Sequence, residues 1–226
     1  MQNNTIAEQI TRFNRTLDIE TSLPEGVEVM NPFTSPISRS LSEKFYYKFY
    51  DDNQPRGIIL GINPGRFGAG VTGIPFTDPV RLEQKCAIPN YLEKKPELSS
   101  RFVYQMIDAF GGVDKFYSRF LISAVSPLGF TKNGKNLNYY DDETLQSRIH
   151  PFILDTLKQQ IDFGVKTDIA ICLGEGKNYK YLQQLNEKHH FFKEIIPLSH
   201  PRYIMQYKRK NLSKYISEYL EVLKKM

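Results

Sequence analysis

The sequence has 226 residues, 40% hydrophobic and 24% charged, with two cysteines, four histidines, no tryptophan and a net charge of +5. That apolar content excludes global disorder, and the two distant cysteines, Cys86 and Cys172, exclude a disulfide framework and a zinc or iron–sulfur site. No apolar run nears the ~20 residues that span a bilayer, the start Met1-Gln2-Asn3-Asn4 lacks the order of a signal peptide, and the surplus of positive charge suits a nucleic-acid partner. A cytoplasmic protein of one domain, 1–226, is therefore expected, with residues 1–50 as a helical arm packed on it and no membrane partner.

In chain order, residues 5–17 predict a helix, capped by Asn4 or Thr5, with Ile6, Ile10, Phe13 and Leu17 at helical spacing. Residues 18–35 read as a connecting arm. Leu41, Phe45, Tyr46 and Phe49 give residues 36–50 an apolar helical face. The run Gly57-Ile58-Ile59-Leu60 predicts a buried strand over 57–62. It feeds a loop, 61–76, that carries five glycines, two prolines, two phenylalanines and one asparagine. A short helix over 79–86 follows Asp78-Pro79, with Asp78 as its cap. Residues 89–100 read as irregular, 98–110 as a helix and 113–118 as a helical turn. Phe120 to Val125 predicts a second strand, 129–141 a polar loop, and 142–162 a helix that Pro151 kinks or begins. A third strand covers 168–173, a helix 177–188, a fourth strand 191–196 and a last helix 209–224. Alternating strands and helices predict a parallel sheet covered on both faces, with candidate site loops at 61–76, 126–140 and 197–208.

Few residues in those loops carry chemistry. His200, held between Pro197 and Pro201, reads as a positioned imidazole or as a structural histidine. Asn63 can orient a water or hold a base edge, or serve only as a turn residue before Pro64. Phe76 can stack on a planar ligand or belong to the core. His150 reads as structural, and His189 and His190 as solvated. The glycine loop lacks the Lys-Ser/Thr of a phosphate-binding loop, and its Gly/Pro segment replaces the helix start of a dinucleotide site. No metal site and no cofactor are expected.

Here the residues carry a resemblance. Gly61-Ile62-Asn63-Pro64-Gly65-Arg66-Phe67-Gly68, then Thr72-Gly73-Ile74-Pro75-Phe76, resembles the first motif of the single-strand-selective monofunctional uracil-DNA glycosylases. Ser199-His200-Pro201-Arg202 resembles the second motif of the uracil-DNA glycosylase superfamily, and Leu121 to Leu128 resembles its middle strand. The likeness spans 57–210 in order and is strongest to a bacterial subfamily known as the second type.

The resemblance implies a three-layer α/β/α fold with a central four-stranded parallel sheet. It implies a monomeric enzyme that flips a damaged base out of single- or double-stranded DNA and hydrolyses its N-glycosidic bond. In this reading Asn63 positions the water, His200 stabilises the leaving base and Phe76 stacks on that base. Gly61, Ile62, Pro64, Gly65 and Phe67 complete the substrate loop, with Gly65 leaving room beside the base's C5. Arg202, Lys208, Arg209 and Lys210 contact DNA in a wedge segment. No motif lysine is present, so no lyase step is expected. The family's base-reading Asn aligns with Ala124, whose methyl cannot hydrogen-bond. Ser123, Ser126 or main chain are expected to substitute, and the pocket to accept xanthine or 5-hydroxymethyluracil beside uracil. A binding module of the same fold, without catalysis, is the alternative.

Overall fold

The structure, a computed structural model, describes residues 4–226. Met1-Gln2-Asn3, part of the start read for a signal, lies outside the described residues. No described helix is long and apolar enough to cross a membrane.

The N-terminal region holds α1 (Ile6–Thr16), β1 (Val27–Met30) and α2 (Pro36–Phe49). Thr5 caps α1 in a reciprocal capping box with Glu8. Next come β2 (Arg56–Gly61), α3 (Ala69–Thr72), α4 (Pro79–Gln84), α5 (Leu98–Phe110), α6 (Val113–Tyr117) and β3 (Phe120–Ala124). Asp78 caps α4, accepting from Arg81 N–H at 2.8 Å, as the Asp-Pro start predicts. The hairpin β4 (Gly129–Lys132) and β5 (Lys135–Leu137) precedes α7 (Glu143–Ile161), which runs through Pro151 from its cap at Asp142. The chain ends with β6 (Val165–Leu173), α8 (Lys177–His189), β7 (Glu194–Leu198), α9 (Pro201–Tyr207) and α10 (Leu212–Leu223).

The central sheet is parallel, in the order β3-β2-β6-β7. Along β2, Ile59 enters the core cluster on the side of α1, α2 and α5. Ile58 and Leu60 enter the cluster on the side of α7 and α8. Both faces are therefore covered, which is why the strand is a continuous apolar run. Register places Gly61 beside Ala124 and Leu173 beside Leu198, so the strand ends line one edge. This is the α/β/α architecture expected.

Four sequence expectations are corrected. The arm 18–35 contains a strand, β1, which pairs antiparallel with β4. The polar loop 129–141 folds into the β4–β5 hairpin around Asn133-Gly134. Both turn residues have positive φ, +52° and +67°, as a two-residue primed turn requires. The fourth strand is shifted to Glu194–Leu198, because Asn186 hydrogen-bonds both main-chain groups of Phe192 and keeps it out of the sheet. Its Pro197 is tolerated because β7 is an edge strand. Finally, the segment after His200 is helical, and a 3-10 turn over Arg209–Asn211 separates it from α10.

Candidate active site

A cavity opens at the carboxyl edge of the sheet. Its wall includes Gly61, Ile62, Asn63, Pro64, Gly65, Phe76, Ser123, Ala124, His200 and Arg202, so residues from three separate loops meet there. It also includes residues that sequence reading passed over: Glu97 before α5, Asn136 and Asn138 from the hairpin, and Ile10, Phe13 and Asn14 from α1.

Asn63 is clamped by the hairpin. Its Oδ1 accepts from Tyr139 N–H at 3.1 Å, and its Nδ2 donates to Leu137 O at 3.3 Å and Pro64 O at 3.2 Å. These partners fix which end of the amide is oxygen. One Oδ1 lone pair is spent on Tyr139, and the second can accept from a water.

Phe76 sits at a φ of +53°. Thr72 holds that turn, donating to Thr77 O at 2.7 Å and accepting from Ile74 N–H at 3.2 Å. The Phe76 ring lies over Gly61, where a Cβ would come within 2.7 Å of it. The ring faces the imidazole of His200 at 5.8 Å between centroids. Phenyl ring, imidazole and glycine backbone together line a slot of the cavity, with the two rings tilted by 47° to each other.

His200 caps α9 with its own ring. Nδ1 accepts from Arg202 N–H at 3.1 Å, which requires the proton of the neutral ring to sit on Nε2. Burial, aided by the Arg202 charge, lowers its pKa from 6.5 to about 4. A neutral imidazole with an Nε2–H donor is therefore held at the cavity near neutral pH. Tyr219 of α10 steadies the approach by donating to Ser199 O at 2.6 Å.

Glu97 brings a carboxyl to the wall. Its N–H donates to buried Asp78 at 2.8 Å. Burial and then Asp78 raise its pKa from 4.5 to about 7, against an opposing effect of Arg202. No single-sequence signal marked it, since its place depends on the approach of residues 97 and 65–68 in space.

Other expected site residues fall elsewhere. Ser126 is fully buried and donates to Leu128 O at 2.8 Å, outside the cavity wall. Ser123 lines the wall but its hydroxyl is bound to Gln160. Phe67 is 44% exposed beside the cavity, with Arg66 and Lys95 within 5.0 and 5.5 Å of its ring. Arg209 and Lys210 are exposed on the turn after α9, next to half-buried Lys208. His150 Nδ1 is bound to Tyr181. His189, expected to be solvated, is half-buried and stacked on Phe191, with Nε2 shielded from solvent. Among the described residues no group of His, Cys, Asp and Glu is placed to hold a metal.

A family model described as the uracil DNA glycosylase superfamily matches residues 47–224. No curated protein matches significantly. Among solved structures, wild-type SMUG2 of Pedobacter heparinus superposes with a TM-score of 0.96 at 45% identity, covering 99% of this chain and 98% of that one. The three loops that build the slot fall within the matched span, and the chain belongs to the uracil-DNA glycosylase superfamily, in its SMUG2-type branch.

Proposed function

We propose that this protein is a monofunctional DNA glycosylase that flips uracil into the slot and hydrolyses its N-glycosidic bond, and that it also accepts xanthine and 5-hydroxymethyluracil. The observation that carries the reading is His200, with its tautomer fixed by Arg202 N–H, lining one cavity with the Phe76 ring 5.8 Å away. A flipped base stacks on Phe76. A water bound to the free lone pair of Asn63 attacks C1′. As the C1′–N bond breaks, its electron pair moves onto the base, and His200 Nε2–H hydrogen-bonds the carbonyl oxygen where negative charge grows. A donor already in place at a developing oxyanion costs no reorganisation. The proton lost by the water leaves to solvent or to the base anion. No lysine lines the cavity among the described residues, which supports hydrolysis without a Schiff-base step.

The broader substrate range is supported by Ala124. Its methyl stands at the wall where an amide would enforce one pairing edge. Arg202, Lys208, Arg209 and Lys210 follow His200 and serve as the phosphate-contacting strip. The test is release of free base from single- and double-stranded oligonucleotides carrying uracil, xanthine or 5-hydroxymethyluracil, with strand scission only after alkali. Tight binding without release from any of them replaces the enzyme with the binding module.

A further inference from the structure

The end of β3 has little left with which to recognise a base. Val125 N–H is bound to Gly61 O and Ser126 N–H to Ile62 O, each at 3.0 Å. Gln160 accepts the Ser123 hydroxyl and donates to Ala124 O at 3.3 Å. Polar groups reach the cavity from the other side. A Cβ built on Gly65 would lie 3.5 Å from Glu97 Oε1 and 3.7 Å from Asn136 Nδ2, so carboxyl and amide converge on one spot of the wall. Both are anchored. Glu97 is tied through its N–H to Asp78, and Asn136 accepts Arg66 N–H at 3.2 Å through Oδ1, which turns its Nδ2 away as a donor. At Gly68 a Cβ would come within 2.4 Å of Glu97 Oε2, so the carboxyl occupies space that only glycine leaves.

We propose that Glu97 is a specificity-determining residue, which with Asn136 hydrogen-bonds the polar edge of the flipped base and supplies the recognition absent at Ala124. This rests on the glycosylase reading above. His200 takes one carbonyl oxygen, and the Glu97–Asn136 pair takes the other, the C4 carbonyl next to C5, on the side that faces Gly65. A base carbonyl there needs donors. Asn136 Nδ2 is one, and the protonated carboxyl is the other. Asp78, itself paired with Arg81 at 3.3 Å, faces Glu97 and favours the protonated form, while Arg202 opposes it. Because the raised value lies near 7, raising the pH converts a donor into a carboxylate that repels the same oxygen.

The experiment measures single-turnover excision from a uracil oligonucleotide between pH 5.5 and 9, for wild type, Glu97→Gln, Glu97→Ala and Asn136→Ala. Thermal melts establish that each variant is folded. Wild type should lose rate above about pH 7. Glu97→Gln, a donor at every pH, should keep its rate across that range. Glu97→Ala and Asn136→Ala should each lose about 5- to 160-fold, the range for a buried hydrogen bond left unmade, and should alter the uracil-to-xanthine ratio. An active wild type whose alkaline limb persists in Glu97→Gln, or a folded Glu97→Ala with unchanged rate and base preference, overturns this assignment alone. A wild type that releases no base overturns the glycosylase reading and this one with it.

Discussion

Replacing His200 with alanine removes one donor, and its effect can be worked from the site. The Nε2–H is the hydrogen-bonding end left free, because Nδ1 is committed to Arg202 N–H at 3.1 Å. A single preorganised donor to a developing oxyanion is worth about 2.7–4 kcal/mol, so His200→Ala should slow single-turnover uracil release by roughly 10²–10³-fold. The same geometry fixes the pH dependence. Since protonation occurs only near 4, the rate should show no acid limb from His200 between pH 5 and 7. The stability consequence has a definite sign. The folded-state pKa lies below the unfolded 6.5, so the contribution is fully present above 6.5 and is lost as pH falls through 4. A gap of about 2.5 units corresponds to at most about 3 kcal/mol, and to less here because the ring is partly exposed. Arg202→Ala keeps the capping N–H but removes the charge, so it should raise the His200 pKa while burial, the larger cause, still holds it below 6.5. Nitrogen-15 NMR of the imidazole reads tautomer and pKa directly. An Nδ1–H tautomer, titration near 6.5, or a folded His200→Ala within a few-fold of wild type would refute the reasoning.

Two further outcomes are expected. Gly61→Ala places a methyl within 2.7 Å of the Phe76 ring and must push it into the slot. It should weaken single-turnover substrate binding by about 1–3 kcal/mol, the worth of one base–aromatic stack, and unchanged titration curves would count against Phe76 as the platform. Replacing Lys208, Arg209 and Lys210 with alanine should flatten the salt dependence of single-strand affinity by about 2 in log–log slope, from about 0.7 per phosphate contact. The rate at saturating DNA should not change, and an unaltered slope would remove the strip from the DNA path.

Much of the fold was legible because its signals are long or strongly periodic. The apolar run at 57–60 and the helical faces of 36–50 and 98–110 fold as their patterns predict. What escaped was short or non-local. β1 has four residues and a partner a hundred positions away, a pairing that no local pattern reveals. The hairpin had a local signal in Asn133-Gly134, but its strands are too short and too polar to alternate clearly. α9 is only two turns long, and it begins with proline. Asn63, Phe76 and His200 stand out in the sequence because each lies beside a rigid, glycine- or proline-marked strand end, and the fold brings the three to one cavity wall. Glu97 was missed because nothing local distinguishes it from the surface glutamates around it, while Ser126 sat in the right loop and turned inward to Leu128.

The hairpin gives the sharpest test of how the slot is held. Asn63 and His200 are both oriented by main-chain groups, so in the proposed mechanism catalysis depends on residues that never meet substrate. Gly134 is such a residue. It sits at the hairpin turn with a φ of +67°, and no atom lies near the position a Cβ would take. Gly134→Ala therefore places its methyl in open space but strains the turn by about 1–2 kcal/mol, the cost of a left-handed conformation in a side-chain-bearing residue. That strain loosens β5 and, through Leu137 O and Tyr139 N–H, frees the amide of Asn63. The rate at saturating substrate should fall while binding stays near wild type, since Phe76 and the basic strip lie on other elements. Hydrogen exchange should speed at hairpin amides, with the central sheet still protected. If those amides exchange faster and the rate does not fall, Asn63 holds its water without the hairpin, and the clamp is structural only.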